Sequence, residues 1–347
     1  MAASAERTLT TRDLNRALLA RQLLLERART TLPGALESMG GLQAQYAPSM
    51  YIGLWSRVED FERDDLTRAL ERRTVVQGSL IRATIHLVSA KDYWPFAVVS
   101  REARREMWLR AARGGLAAEE VAAAAASLRE GLAEGPLRRK EIDALLGKPL
   151  AGAVVMWSDL VRVPPSGTWE HRRADLYAAA ADWLEPAEVT REESLELLVR
   201  RYLGGFGPAP AGDIANWAGL AVSSLAPALE RLSLRRFRDE HGRELVDVPK
   251  APLPDPNTPA GVRFLPVWDA ALLVHARRTG ILSEEHRPKI FSTKTPHSVG
   301  TFLVDGAVAG TWRYEKGSVR TEPFGRLDAV TRRDLAEEGE RLAAFYA

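Results

Sequence analysis

Two glutamines stand one residue apart in Gly41-Leu42-Gln43-Ala44-Gln45-Tyr46-Ala47-Pro48. Gly40 and Gly41 end the helical run before them, because glycine tolerates the backbone that leaves a helix. Pro48 steers the residue before it away from helix. In an extended segment, residues i and i+2 point to the same side. Gln43 and Gln45 are therefore expected to aim two amides at one spot, with Ala44 facing away. A carboxamide offers a carbonyl acceptor and two N–H donors, and it does not titrate. Such a pair can hold a water and a polar group in fixed geometry, but it is not a strong base. The competing reading of the same residues is structural: the amides cap Tyr46 and the Gly41 turn.

The rest of the inventory excludes several reaction classes. There are no cysteines, which removes disulfides, thiolate zinc sites and thiol nucleophiles. The six histidines (His86, His171, His241, His275, His286 and His297) lie far apart and form no His-Glu-x-x-His motif. No metal site is expected. No serine or threonine sits in a Gly-x-Ser-x-Gly setting. Gly204-Gly205-Phe206-Gly207 lacks the lysine of a phosphate loop and does not follow a strand. No cofactor is expected. His86 lies on an alternating β-rich stretch, and it is either a satisfied wing histidine or a contact in a functional site. Trp169, Trp217, Trp268 and Trp312 are expected in core or hinge packing and not as platforms for stacked bases.

The elements that must position these residues follow one order three times. Helical periodicity covers residues 10–29, 32–39, 50–58 and 64–75, and the alternation of 79–88 predicts a strand. A long helix follows over 90–109. A second unit has helices over 117–133, from 136 and over 150–160. Its wing pairs Val161–Pro164 with a return strand at Thr168–Arg172. A third has helices over 190–202, 211–217 and 222–231, then a hairpin of 234–238 and 244–248. A short helix, a glycine turn and a second helix is the helix-turn-helix signature. Residues 249–260 are a proline-rich linker. Beyond it, Asp305-Gly306 suits a tight hairpin turn between strands at 301–304 and 307–314. A third strand at 318–323 and a helix over 327–345 follow.

Six segments, in order, resemble the AlkZ-like winged-helix DNA glycosylases across nearly the whole chain. They are Gly41-Leu42-Gln43-Ala44-Gln45, Arg82-Ala83-Thr84-Ile85-His86-Leu87, Pro164-Pro165-Ser166-Gly167-Thr168-Trp169, Tyr202-Leu203-Gly204-Gly205-Phe206-Gly207-Pro208-Ala209, Leu265-Pro266-Val267-Trp268-Asp269 and Val304-Asp305-Gly306-Ala307-Val308-Ala309-Gly310-Thr311-Trp312. The resemblance implies an α+β, mainly α, chain: three tandem winged-helix domains followed by a small β-barrel-like unit. The corresponding boundaries are 1–114, 115–186, 187–250 and 251–347. It implies removal of bulky alkylated purines, interstrand crosslinks included, by cleavage of the N-glycosidic bond. The family's catalytic motif is Gln-apolar-Gln in one branch and Gln-apolar-Asp in the other. Gln43-Ala44-Gln45 is similar to the first, which is associated with self-resistance in bacteria that make DNA-alkylating natural products. Gln43 and Gln45 take the catalytic positions, with Arg82, His86, Arg172 and Arg236 as active-site neighbours or DNA contacts. The partner implied is double-stranded DNA. The alternative function is a non-catalytic winged-helix DNA-binding or regulatory protein, or one that shields damaged DNA.

The bulk properties fit such a chain without announcing it. The 347 residues carry 46% hydrophobic and 27% charged side chains and a net charge of +2. That length suggests two to four units. No apolar run is long enough for a membrane span, and the polar N-terminus lacks the apolar core of a signal peptide. A cytoplasmic monomer is expected. The positive charge is local: arginine islands at 101–105, 138–140, 172–173 and 235–238 recur beside similar units, which favours a shared basic surface.

Overall fold

The structure is a computed structural model that describes residues 6–111, 115–292 and 297–347. Three successive stretches run from helices into antiparallel strands. The first has helices Thr11–Arg21, Leu32–Met39, Ala47–Trp55 and Arg63–Glu71; the second Ala118–Ala133, Arg139–Leu146 and Lys148–Trp157; the third Arg191–Phe206, Ala211–Ala218 and Val222–Arg231. Their strands are β1 (Thr8–Leu9), β2 (Leu42–Gln43), β3 (Val75–Ser79), β4 (Ile85–Ser89), β5 (Leu137–Arg138), β6 (Leu160–Arg162), β7 (Leu176–Ala179), β8 (Arg235–Asp239) and β9 (Glu244–Asp247). The hairpins of the first two stretches merge into one six-stranded sheet of order β2-β4-β3-β6-β7-β5, whereas β8 and β9 pair with β1 in a separate sheet. Helix Ala90–Ala111 leaves β4 and packs along Arg191–Phe206, tying the first stretch to the third.

Several boundaries depart from the sequence reading, each for a local reason. The strand expected over 79–88 is a hairpin. β3 and β4 flank a turn in which Arg82 and Ala83 both adopt the left-handed region (φ 52° and 57°). The first helix stops at Arg21, because Leu23 is left-handed (φ 56°) and the N–H groups of Leu24 and Leu25 both return to the Leu19 carbonyl. The helix expected to reach residue 75 ends at Glu71, since Val75 opens β3 and Arg73 turns left-handed between them. The return strand expected at Thr168–Arg172 is a loop, and β7 at Leu176–Ala179 does the pairing instead. That loop is held inward by Gln77, whose Nε2 donates to the Gly167 carbonyl (2.8 Å), and by Trp169, which is buried against Tyr51, Phe345 and Tyr346.

The C-terminal unit is not a closed barrel. β10 (Arg263–Leu265), β13 (Gly300–Val304), β14 (Ala307–Glu315) and β15 (Ser318–Pro323) form an open antiparallel sheet in that order, with β11 (Phe291–Ser292) and β12 (His297–Ser298) as a separate short pair. β10 is only three residues long, and β15 is covered by helix Ala329–Tyr346, so the two edges do not meet. The Asp305-Gly306 turn forms as expected, both residues having positive φ, the requirement of a type I′ turn.

A buried ion pair locks this unit onto the rest. Arg57 and Asp269 meet at 2.9 Å with almost no exposure, and Arg57 also donates to the Gln22 and Gly53 carbonyls. A second pair, Arg21 and Asp247, equally buried at 2.7 Å, ties the first stretch to the third. Removing one member of such a pair strands a charge, at a cost of about 3–5 kcal/mol. No helix among the described residues is long and apolar enough to cross a membrane.

Candidate active site

β2 is an edge strand, and its placement decides where the glutamines go. Helix Leu32–Met39 ends at Gly40 (φ 76°), and Gly41 is also left-handed, so the chain reverses into Leu42. The reversal is seated by close packing. At Gly205 a Cβ would stand 2.6 Å from the Met39 carbonyl, and Gln22 Nε2 bridges the carbonyls of Met39 and Gly205. The glycine pair Gly204-Gly205 therefore serves helix packing. β2 then pairs with β4, Leu42 opposite Leu87 and Gln43 opposite His86.

Both amide carbonyls are anchored by the protein. Gln43 Oε1 accepts from Arg82 Nη2 at 3.4 Å, and Gln45 Oε1 accepts from the Ile85 N–H at 3.0 Å. The Ala44 N–H in turn donates to the Ile85 carbonyl (2.7 Å), so the Gln45 side chain extends the ladder where the backbone of β2 leaves it. The structural reading of Gln45 is thus partly realised, though its target is β4 and not the Gly41 turn. Gln43 is half-buried and Gln45 exposed. No described residue accepts from either amide nitrogen. A carbonyl oxygen has a second lone pair, so each amide can still accept from one further donor.

Arg82 and His86 complete the floor. Arg82 sits at the apex of the β3–β4 hairpin, half-buried, and its Nη1 donates to the Trp217 carbonyl. Burial pulls its guanidinium below the usual range. A left-handed arginine is strained, and such strain persists only where the surroundings impose it. Here Gly219 supplies the space, since a Cβ there would stand 3.0 Å from Arg82 Cγ. His86 is 3% exposed, with Nδ1 3.0 Å from the Thr84 carbonyl. Burial first, and the Arg82 charge second, push its pKa down to about 3. It is therefore neutral at physiological pH. The candidate site presents two neutral amides, one half-buried cation and one neutral imidazole at the edge of a sheet.

The family described as DNA glycosylase AlkZ-like matches residues 36–345 of this chain, with the glutamine pair inside the match. The chain belongs to the AlkZ-like DNA glycosylase family. Its fold is similar to that of the Streptomyces sahachiroi DNA glycosylase AlkZ, with a TM-score of 0.80 over 98% of this chain and 97% of that one, at 18% sequence identity. No curated protein matches it by sequence.

Of the other residues that the resemblance to AlkZ-like enzymes singled out, Arg172 lies beside the glutamines and Arg236 does not. Arg172 Nη1 donates to the hydroxyl of Tyr46 at 3.3 Å, one residue from Gln45, and its guanidinium lies 5.7 Å from the Trp169 ring centre. Arg236 is paired with Glu244 across the β8–β9 hairpin. The arginine islands are less free than their sequence suggests. Arg101 and Arg104 bind Asp159, Arg105 lies over Trp157, Arg138 and Arg173 share Asp175, and Arg235 binds Glu6. Three site neighbours went unread in the sequence. Tyr46 is 45% exposed beside Gln45, and Trp217 contributes only a carbonyl. His275 is buried close enough to Arg82 for that charge to depress its pKa. A backbone carbonyl leaves no trace in residue type, and the proximity of His275 is purely tertiary. Among the described residues no cluster of three or more His, Asp or Glu could hold a metal.

Proposed function

We propose that this glycosylase hydrolyses the N-glycosidic bond of bulky N7-alkylated purines in double-stranded DNA, interstrand crosslinks included. We further propose that it serves self-resistance to a DNA-alkylating natural product. The observation that carries the reading is the anchored amide pair. Gln43 and Gln45 are held by Arg82 and Ile85 at an accessible sheet edge, and neither is hydrogen-bonded to a carboxylate. Such a site is weak for a difficult leaving group and adequate for an easy one. An N7-alkylated purine is already cationic. As the bond from C1′ to N9 breaks, its electron pair neutralises the ring and leaves an oxocarbenium-like sugar. Water bonds to C1′ and releases its proton to solvent. The remaining lone pair of each glutamine carbonyl can accept a water O–H and so orient the attack, as a glutamine does in GTPases. Holding that water in line accounts for most of the rate such a site can supply.

The nucleophile is water and not lysine. The lysine nearest in sequence, Lys91, is engaged with Glu37 at 3.7 Å. The protein acts as a monomer on a basic concave face, with affinity that falls as salt rises. The decisive experiment incubates the purified protein with a duplex carrying an N7-alkylguanine, or an N7-linked crosslink, and measures abasic sites. Their absence, with tight DNA binding retained, would favour the non-catalytic DNA-binding alternative. A borohydride-trapped covalent adduct would overturn the water mechanism.

A further inference from the structure

We propose that Tyr46 and Arg172 hold the nucleotide next to the lesion in the same strand, its base stacked on the Tyr46 ring and its phosphate on the Arg172 guanidinium. This rests on the glycosylase reading above and extends it to the neighbouring nucleotide. Gln45 and Tyr46 are consecutive, and the Tyr46 backbone is extended (φ −129°, ψ 119°), so their side chains leave the strand on opposite sides. Gln45 turns in to the Ile85 N–H, and Tyr46 turns out and is left 45% exposed. β2 is the last strand of its sheet. A DNA strand with a sugar at the glutamines runs past this edge, and Tyr46 stands next along it.

A lone exposed aromatic is ordinary on a protein surface, but this one is fixed in place. Its hydroxyl accepts from Arg172 Nη1 at 3.3 Å, while among the described residues its ring packs on no other ring. Arg172 is held from behind. Its Nε donates to the Trp169 carbonyl at 3.3 Å and its guanidinium lies 5.7 Å from the Trp169 ring centre. That ring is pinned in turn by Phe345 and Tyr346 of the C-terminal helix. Arg63 lies 5.3 Å from the same ring centre and donates to the Tyr346 carbonyl. Neither Arg63 nor Arg172 is paired with a carboxylate among the described residues, whereas Arg101, Arg104, Arg138 and Arg173 are answered by Asp159 or Asp175. Burial pushes the Tyr346 phenol up, so it adds no anion beside Tyr46 and Arg172. An open aromatic face beside an unpaired guanidinium is what an unstacked nucleotide needs, base on ring and phosphate on cation. Displacing or removing the base at the glutamines bares one face of its neighbour, and the Tyr46 ring takes the place of the lost stack.

The test uses duplexes with a tetrahydrofuran residue, an uncleavable abasic analogue, at the lesion position and 2-aminopurine as its 5′ or its 3′ neighbour. Wild-type protein at saturation should quench 2-aminopurine at one of the two positions. Tyr46→Ala should abolish that quenching and weaken binding about tenfold, and Tyr46→Phe, which keeps the ring, should bind nearly as wild type does. Tyr46 gives no side-chain cap to the helix it precedes, so thermal stability should hold in both variants. Quenching that survives Tyr46→Ala, or that occurs at neither position, overturns the stacking. Arg172→Met is then measured on duplexes in which one linkage beside the tetrahydrofuran is a neutral methylphosphonate. It should weaken binding about tenfold on the all-phosphate duplex and cause no further loss when the contacted linkage is the neutral one. Additive losses at every linkage overturn the phosphate contact and leave Arg172 a strut for Tyr46. None of these readouts needs bond cleavage. They decide the proposal even if N7-alkylguanine duplexes yield no abasic sites, the separate outcome that removes the glycosylase reading.

Discussion

The β3–β4 and β8–β9 hairpins come from the same order of elements, helices followed by two antiparallel strands, yet they sit in different surroundings. Every residue of β3 and nearly all of β4 are buried, because β3 pairs on both sides and β4 carries β2 on its outer edge. The apex arginine of that hairpin, Arg82, is driven inward to bind a carbonyl of the third stretch and an amide of the first. The β8–β9 hairpin faces solvent on one side, with Arg235 and Arg236 about one-third exposed and answered by Glu6 and Glu244. Membership of a shared sheet is what places the first hairpin beneath the two glutamines. The hairpin of the outer sheet keeps its charges at the surface.

That contrast can be broken most directly at the glutamines. Gln43→Ala and Gln45→Ala should each lower single-turnover excision of an N7-alkylguanine by roughly 10²-fold, since a misplaced attacking group is costly. Affinity for the same duplex should stay nearly constant, because it derives from many phosphate contacts. Gln45→Glu should retain part of the rate, as a carboxylate can still accept from the Ile85 N–H and adds charge beside a developing cation. Unchanged rates in both folded alanine variants would remove this edge from the mechanism.

Arg82 comes next. Arg82→Met removes the donor to Gln43 Oε1 and to the Trp217 carbonyl while keeping the aliphatic packing against Gly219. Losing buried hydrogen bonds of this kind costs about 1–3 kcal/mol, so excision should drop roughly ten- to a hundredfold and thermal stability should fall with it. An Arg82→Met protein with wild-type excision and lower stability would make Arg82 a structural residue alone. Arg236→Ala should do less and do it differently. Its ion pair is exposed and worth under about 1 kcal/mol, so stability and saturated excision should hold. If the outer wing meets DNA, the slope of binding affinity against salt should shrink by about one. A loss of excision as large as that of Gln43→Ala would erase the distinction between the hairpins.

How much of this was legible in sequence depended on whether the signal was local. Capping at Thr190 and Glu193, the Asp305-Gly306 turn and strand Ser318–Pro323 all form where turn and capping chemistry put them. The Gln43-Ala44-Gln45 edge was legible as an extended pair of amides, but the engagement of the Gln45 carbonyl by Ile85 was not. The turn inside 79–88 was hidden because Arg82 and Ala83 are ordinary strand-compatible residues. The left-handed Arg82 sits against Gly219 and bonds the Trp217 carbonyl, both more than a hundred residues away in the chain. The arginine islands were half legible for a related reason: sequence shows a cation but not the Asp159 or Asp175 that folds against some of them.

The smallest expected effect concerns pH, and it separates the two hairpins by what they lack. His86 lies in the floor of the inner site with its pKa pushed down to about 3. Its unfolded value is about 6.5. A histidine with a depressed folded pKa binds fewer protons when folded, so its contribution to stability is full above about pH 6.5 and is lost as pH falls toward about 3. Thermal stability should therefore decline over that acid window, and His86→Gln should decline less steeply. His275, also buried and shifted down, adds to the slope with the same sign, so the comparison is made with His275 intact in both proteins. The excision rate behaves otherwise. Glutamine does not titrate and His86 stays neutral from pH 6 to 8, so the single-turnover rate should be flat across that range. A limb near pH 6.5 in the rate would mean that His86 gains a proton when DNA is bound, and the inner hairpin would then supply acid chemistry that its buried, neutral imidazole does not provide.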